Sequence, residues 1–451
     1  MAPAKRARRR IFAVLLAVAT VGMASVACRT RTGLEEGATT ASTLPPGAKP
    51  LLDVNDVSVL FPLPEASHLN ALLSLPAGLP GRQLLSQPLF TKFAALSGWV
   101  TFGSRDAAVN YPQLRIVSFR VDPCAPRPNP DPKKCLPQLR LIAQPIQVAA
   151  GFATTLSVED STLHLVYSLS GAEFTSLLAE LRALKTTPSS AATTGLPLGP
   201  HPGLVAEAAA GKDTLSKALQ DLVLKYASEQ NLAFIAFMFL EANVVGQANF
   251  WHFGAADVAG TDVHVRPLFA IKDPTVPTMS LHMRTEHAGP PPPGGGPPPS
   301  LGEDPAKTRN GIINPVPTGV DNVAFFLDSN RYKNGPRDAT AHAAFASLLN
   351  IENPRDRDIT NVDCISCHTA TQMRSVALTL KFKESDKRYD ATRFVPPPGP
   401  TFNLRRQQGG ATMANEAYVT INLGYFHNAP SISQRAVNET VLVAKFLNDA
   451  P

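Results

Sequence analysis

Cys364-Ile365-Ser366-Cys367-His368 is the stretch of this 451-residue chain best equipped for chemistry. Two thiols three positions apart, followed directly by an imidazole, form a C-x-x-C-H pattern. On one helical turn both sulfurs lie on the same side, placed to add to the two vinyl groups along one edge of a porphyrin. His368 then presents a ring nitrogen to the iron from that side. The pattern predicts one covalently attached haem c, with Cys364 and Cys367 as thioether residues and His368 as the proximal iron ligand. Two other chemistries use the same residue types. A structural zinc site needs two further ligands, and no second C-x-x-C or H-x-x-x-H exists here. A redox-active dithiol of the thioredoxin kind needs a strand running into a helix. Residues 353–361 read Asn-Pro-Arg-Asp-Arg-Asp-Ile-Thr-Asn, a polar loop.

The motif has to sit on elements that hold it. The spacing of apolar residues predicts helices over Asp338–Leu349 and, amphipathic, over Ser431–Leu447. Together with C-x-x-C-H, these make the region 301–451 resemble a single-haem c-type cytochrome domain, in which a first and a last helix pack together. Gly399-Pro400 is similar to the Gly-Pro of that family whose carbonyl steadies the proximal histidine. The resemblance implies a mostly α-helical domain and a second axial ligand beyond the motif. Met373 is too close to His368 to reach across the ring. Met413 and His427 are the candidate distal ligands, with His342 a further one upstream, and a site with no protein ligand remains open. A bis-histidine iron has a lower potential than a His/Met iron.

Ahead of this region, residues 51–288 read as a separate α+β domain. Alternation predicts strands at Asp56–Phe61, Trp99–Phe102, Gln113–Val121, Gln138–Ala143 and Ser161–Leu169. Helical periodicity covers Ala172–Leu184 and Asp213–Tyr226, the latter with Asp213 as N-cap. Leu232–Leu240 is apolar throughout and reads as a strand buried on both faces. Segments 247–258 and 262–271 complete the sheet. The Pro- and Gly-rich stretch 289–300 reads as a linker between the two domains, with a surface loop as the alternative. No nucleophile elbow, zinc-protease motif or phosphate-binding glycine loop occurs in residues 51–288. His252, between Trp251 and Phe253, reads as a hydrogen-bonded core or rim residue. Cys124 and Cys135 bracket a Pro-rich loop between two strands, where a disulfide would close the neck of a hairpin outside the cytoplasm.

The formal charge of +6 does not point to nucleic acid. Lys5, Arg6, Arg8, Arg9 and Arg10 supply five of the six excess charges, and no acidic residue precedes position 28. They form the basic start of a secretory signal, followed by the apolar run Ile11–Gly22 and the small residues before Cys28. Residues 1–27 read as the signal peptide and Cys28 as the lipidated first residue. Cleavage without lipidation and an uncleaved anchor are the alternatives. Residues 28–50 form the tether. The expectation is a cell-envelope electron carrier, held to the membrane by its lipid and exchanging electrons with redox partner proteins. A haem-dependent oxidoreductase or peroxidase-like enzyme, or a haem-based ligand-binding or scaffold protein, is the alternative.

Overall fold

The structure, a computed structural model, describes residues 50–79, 81–125, 136–148, 155–187, 196–241, 249–268, 278–286, 308–315, 338–354, 361–379, 423–426 and 428–449, with a few single positions between them. Ten strands form one antiparallel sheet. They are β1 (Ser58–Leu60), β2 (Leu114–Ala125), β3 (Leu136–Val148), β4 (Leu156–Val158) and β5 (Thr162–Ser168). The second half adds β6 (Leu232–Glu241), β7 (Asn249–Ala259), β8 (Asp262–Val265), β9 (Thr278–Glu286) and β10 (Thr308–Asn314). Their order is β1-β2-β3-β5-β6-β7-β9-β10, with β4 on the end of β3 and β8 on β7.

The expected β2–β3 hairpin is present, with Arg120 opposite Arg140 and Ala125 opposite Leu136 at its neck. Cys124 is buried there and disulfide-bonded. Cys135 lies outside the described residues. Side chains alternate along each strand, so β5 sends Leu163, Leu165 and Tyr167 to one face and Thr162, His164 and Val166 to the other. The first face carries α1 (Gln87–Ser97), α2 (Gly171–Lys185) and α3 (Thr214–Tyr226). Phe93 of α1 meets Phe237 of β6 edge-on at 5.3 Å, and Tyr167 Oη donates to Leu84 O at 2.8 Å. Ser170 and Glu173 form a capping box at the start of α2. Asp213 occupies the N-cap of α3 but makes no capping bond. Glu207 does that work instead, its Oε2 accepting from Leu215 N at 2.7 Å. Residues Trp99–Phe102, expected as a strand, form a turn closed by the bridge between Thr101 and Ser104.

The other face is covered by α4 (Ala339–Glu352) and α5 (Cys364–Thr379), which share a core with Met238, Trp251, Phe253, Met279 and Leu281 of the sheet. Central strand β6 is thus covered on both sides, as its unbroken apolar run requires. The last helix, α6 (Gln434–Asp449), lies beside β2: Arg120 donates to Ala436 O and Thr440 Oγ1, each at 2.8 Å. A small hairpin, β11 (Leu423–Phe426) with β12 (Ala429–Ile432), closes on β3 through paired bonds between Tyr425 and Gln144. Among the described residues no helix is long and apolar enough to cross a membrane.

The expected mostly α-helical, cytochrome c-like second domain is therefore not what forms. Residues 49–451 make one compact unit around the ten-stranded antiparallel sheet, and the helices of the motif region are the cover of one sheet face. The reason is visible in α4. Besides the stripe Ala341, Ala344, Phe345, Leu348 and Leu349 it buries Ala346, Ser347 and Ile351, more than one face of an amphipathic helix, and needs neighbours on several sides. Strands β9 and β10 pair with Glu286 opposite Thr308. The stretch 289–300 accordingly falls inside the connection of one hairpin.

Candidate haem-attachment site

Helix α5 begins at the motif itself. Asp363 caps it: its carboxylate accepts from Ser366 N at 2.8 Å, and its carbonyl from Cys367 N at 3.0 Å. Burial raises the Asp363 pKa, against the pull of those hydrogen bonds. Positions 364, 367 and 368 stand at i, i+3 and i+4 and share one helix face. Their side chains are half-buried, whereas Ile365, Ser366, Thr369 and Ala370 around them are buried. Cys364 and Cys367 are both thiols, not joined to each other. Burial, reinforced by Asp363 and Cys367, pushes the Cys364 thiol up to about 12. Such a thiol is a poor redox nucleophile, and the chain enters α5 from a loop and not from a strand.

The His368 ring faces the sheet. It lies 5.3 Å from the Phe253 ring of β7 and 5.9 Å from the His164 ring of β5, at 61° and 86° respectively. His164 did not stand out in the sequence. The signal was there: Leu163, Leu165 and Tyr167 claim one face of the strand, which leaves a lone histidine beside Val166 on the other. Its row across the sheet runs Ile142, His164, Ala236, Ala255. Ala236 is half-buried although β6 is covered on both sides. Ala236, Cys364 and Cys367 all pack against the core cluster that the sheet shares with α4 and α5. The Nε2 atom of His164 is buried and has no hydrogen-bond partner among the described residues. Desolvation, then the fields of His368, Arg140 and Arg120, lower His164 to about 3, so its imidazole is neutral and keeps a lone pair.

Two polar networks tie α4, α5, α6 and β2 together. Glu352 of α4 accepts from Thr371 Oγ1 at 2.8 Å and pairs with Arg374 Nε at 2.7 Å, both on α5. Asn438 of α6 donates to Glu352 O at 2.8 Å, and Gln434 N donates to Thr371 Oγ1 at 3.0 Å. In the second network, Glu439 stands between Arg120 and Arg435. Burial would raise the Glu439 pKa, but Arg435 and Arg120 together hold it well below the usual carboxylate range. Arg435 also donates to Ile351 O at 2.8 Å and to Arg357 O at 2.6 Å, and Cys367 is among the groups it responds to.

The structure brings together Cys364, Cys367 and His368. His342 is exposed on α4, its ring 5.5 Å from Phe382, and Met373 is buried in the core beneath α5. Met413, His427 and Cys28 lie outside the described residues. His252 is hydrogen-bonded, as expected, and of the two expected places takes the rim, half-buried with Nε2 2.9 Å from Glu241 Oε2 and its ring stacked on Phe239. Among the described residues no group of three or more His, Cys, Asp and Glu is gathered to hold a bare metal ion. Haem asks less of the protein, because the porphyrin supplies four of the iron's ligands. Two thiols and an imidazole on one face, opposite an orphaned buried ring nitrogen, fit that demand.

Comparison with protein-family models, with curated proteins and with solved structures finds no match for this chain.

Ala236 is the cross-strand neighbour of His164, so a bulky side chain there should keep haem out. Ala236→Phe is expected to cut the covalent haem content of purified protein several-fold while the far-ultraviolet circular dichroism stays that of the parent. Unchanged haem content would show that Ala236 does not border the haem space.

Proposed function

We propose that this chain is a c-type cytochrome of the cell envelope, carrying one haem joined to Cys364 and Cys367 and passing electrons between redox partner proteins. The observation that carries the reading is the common face of Cys364, Cys367 and His368, on a capped helical turn whose His368 ring lies 5.9 Å from the His164 ring of the sheet. When bound, haem supplies a one-electron couple. The chain's own residues fix the attachment points, orient the His368 ring against Phe253 and wall the site with the sheet. Export with a lipid tether at Cys28 belongs to the same proposal. The disulfide at Cys124 supports an oxidising compartment.

The test is covalency. Full-length protein exported in a host with a haem c maturation system is denatured in detergent, run on a gel and stained for haem. The expected result is a haem-positive band at the size of the chain, and one haem per chain by alkaline pyridine spectrum. A colourless band from folded, exported protein would overturn the reading.

A further inference from the structure

We infer that His164, on sheet strand β5, is the distal axial ligand of the iron whose proximal ligand is His368. This rests on the haem-attachment reading above. The two ring centres are 5.9 Å apart. With a metal–imidazole bond of about 2 Å on each side, two axial rings have their centres about 6 Å apart. The 86° between the ring planes is compatible with shared ligation, since each axial ring contains the common nitrogen–iron–nitrogen axis and is free to rotate about it. Nε2 of His164 is buried and unpartnered among the described residues, a costly state unless something engages the nitrogen. Ala236 and Ala255 follow His164 in its row across the sheet, so no bulky side chain flanks the imidazole on that side. The charged groups nearest to His164 are already committed: Arg120 to Glu439, and Arg140 to Asp122 at 2.7 Å.

Two consequences follow from this ligation. The iron ties β5 to α5, so the haem staples the motif helix to the sheet from its far side. With both axial positions filled by imidazole, the iron is low-spin and of lower potential than a His/Met iron, and has no open position for an external ligand.

The experiment uses haem-loaded, full-length protein and reads visible spectra, oxidised and reduced, with and without carbon monoxide. Wild type is expected to be low-spin and indifferent to carbon monoxide. His164→Gly is expected to turn high-spin, to bind carbon monoxide, and to recover the low-spin spectrum when free imidazole is added. A His164→Gly protein that stays low-spin and indifferent to carbon monoxide would overturn the assignment. So would a high-spin wild type, or loss of the low-spin spectrum in Met413→Ala or His427→Ala. Should His164→Gly not accumulate, His164→Met keeps a ligand in place and is expected to raise the midpoint potential; an unchanged potential would count against His164. Should that variant also fail, the near-infrared magnetic circular dichroism of wild type decides between bis-histidine and His/Met ligation. A wild-type chain that binds no covalent haem sinks the attachment reading itself, an outcome separate from all of these.

Discussion

Replacing both motif thiols, as Cys364→Ala with Cys367→Ala, is expected to abolish covalent haem altogether while leaving the sheet folded. Neither sulfur contributes a disulfide to the fold. Each side chain is half-buried, so truncation to alanine removes little packed volume. The core beneath α5 is made by Ile365, Ala370, Met373 and Ala377, and the two cysteines pack only against its margin. The single variants should differ from the double one. With one thioether left, haem stays on the denatured chain, but one vinyl group remains unsaturated and the reduced absorption bands move to longer wavelength. Cys364 and Cys367 stand one helical turn apart on the same face, so either alone can still hold the ring. The check is a haem-stained denaturing gel alongside reduced spectra of the two single variants and the double variant. If the double variant keeps detergent-resistant haem, attachment lies elsewhere.

Much of the first sheet face was legible because its signals are local. The β2–β3 hairpin follows from two alternating segments around a Pro-rich loop, and α2 from Ser170 and Glu173 three apart before an apolar repeat. The motif, its helical turn and His252 as a hydrogen-bonded residue were also readable. The architecture of the second half was not. Helices at 339–352 and 434–449 look the same from sequence whether they pack on each other or cover a sheet. The choice is made by β6 and β7, which offer Met238, Trp251 and Phe253 as an apolar face that must be buried. Reading 301–451 as a free-standing helical domain left that face without a cover. It also put every candidate second ligand inside that domain, at Met413, His427 and His342. His164, on a strand in the first half of the chain, is brought to His368 by sheet topology, which no local pattern carries. Asp363 was closer to hand. A carboxylate directly before a helical C-x-x-C turn is an N-cap signal that the sequence carried plainly.

Glu439→Gln is expected to cost about 3 kcal/mol of stability, since removing one partner of a buried ion pair leaves the others uncompensated. Glu439 holds two guanidiniums: Arg435 donates to Oε1 from Nε at 3.1 Å and Nη2 at 2.8 Å, and Arg120 donates to Oε2. An amide in its place cancels neither charge and turns its own N–H groups toward one of them. The side chain keeps 19 % of its surface, so solvent relieves part of the loss and the lower end of the usual range applies. The sign of the pH dependence follows from the direction of the shift. The carboxyl of folded Glu439 titrates well below its ordinary value of 4.5, so folding favours the charged form. Its contribution is fully present above the unfolded pKa and is lost as pH falls from about 4.5 toward the folded value. Wild type should therefore lose stability across that window, and Glu439→Gln should lose less, because it no longer has this contribution to lose. Urea denaturation of both proteins at pH 7 and near pH 3.5 measures it, and parallel changes in the two midpoints would show that the pair does not carry the acid sensitivity. Since Arg435 also bonds Ile351 O and Arg357 O beside the motif helix, the same substitution should loosen the wall next to Cys367. In the haem-loaded protein that loosening should appear as faster unfolding of the haem environment, followed by the visible spectrum, than of the sheet, followed by circular dichroism.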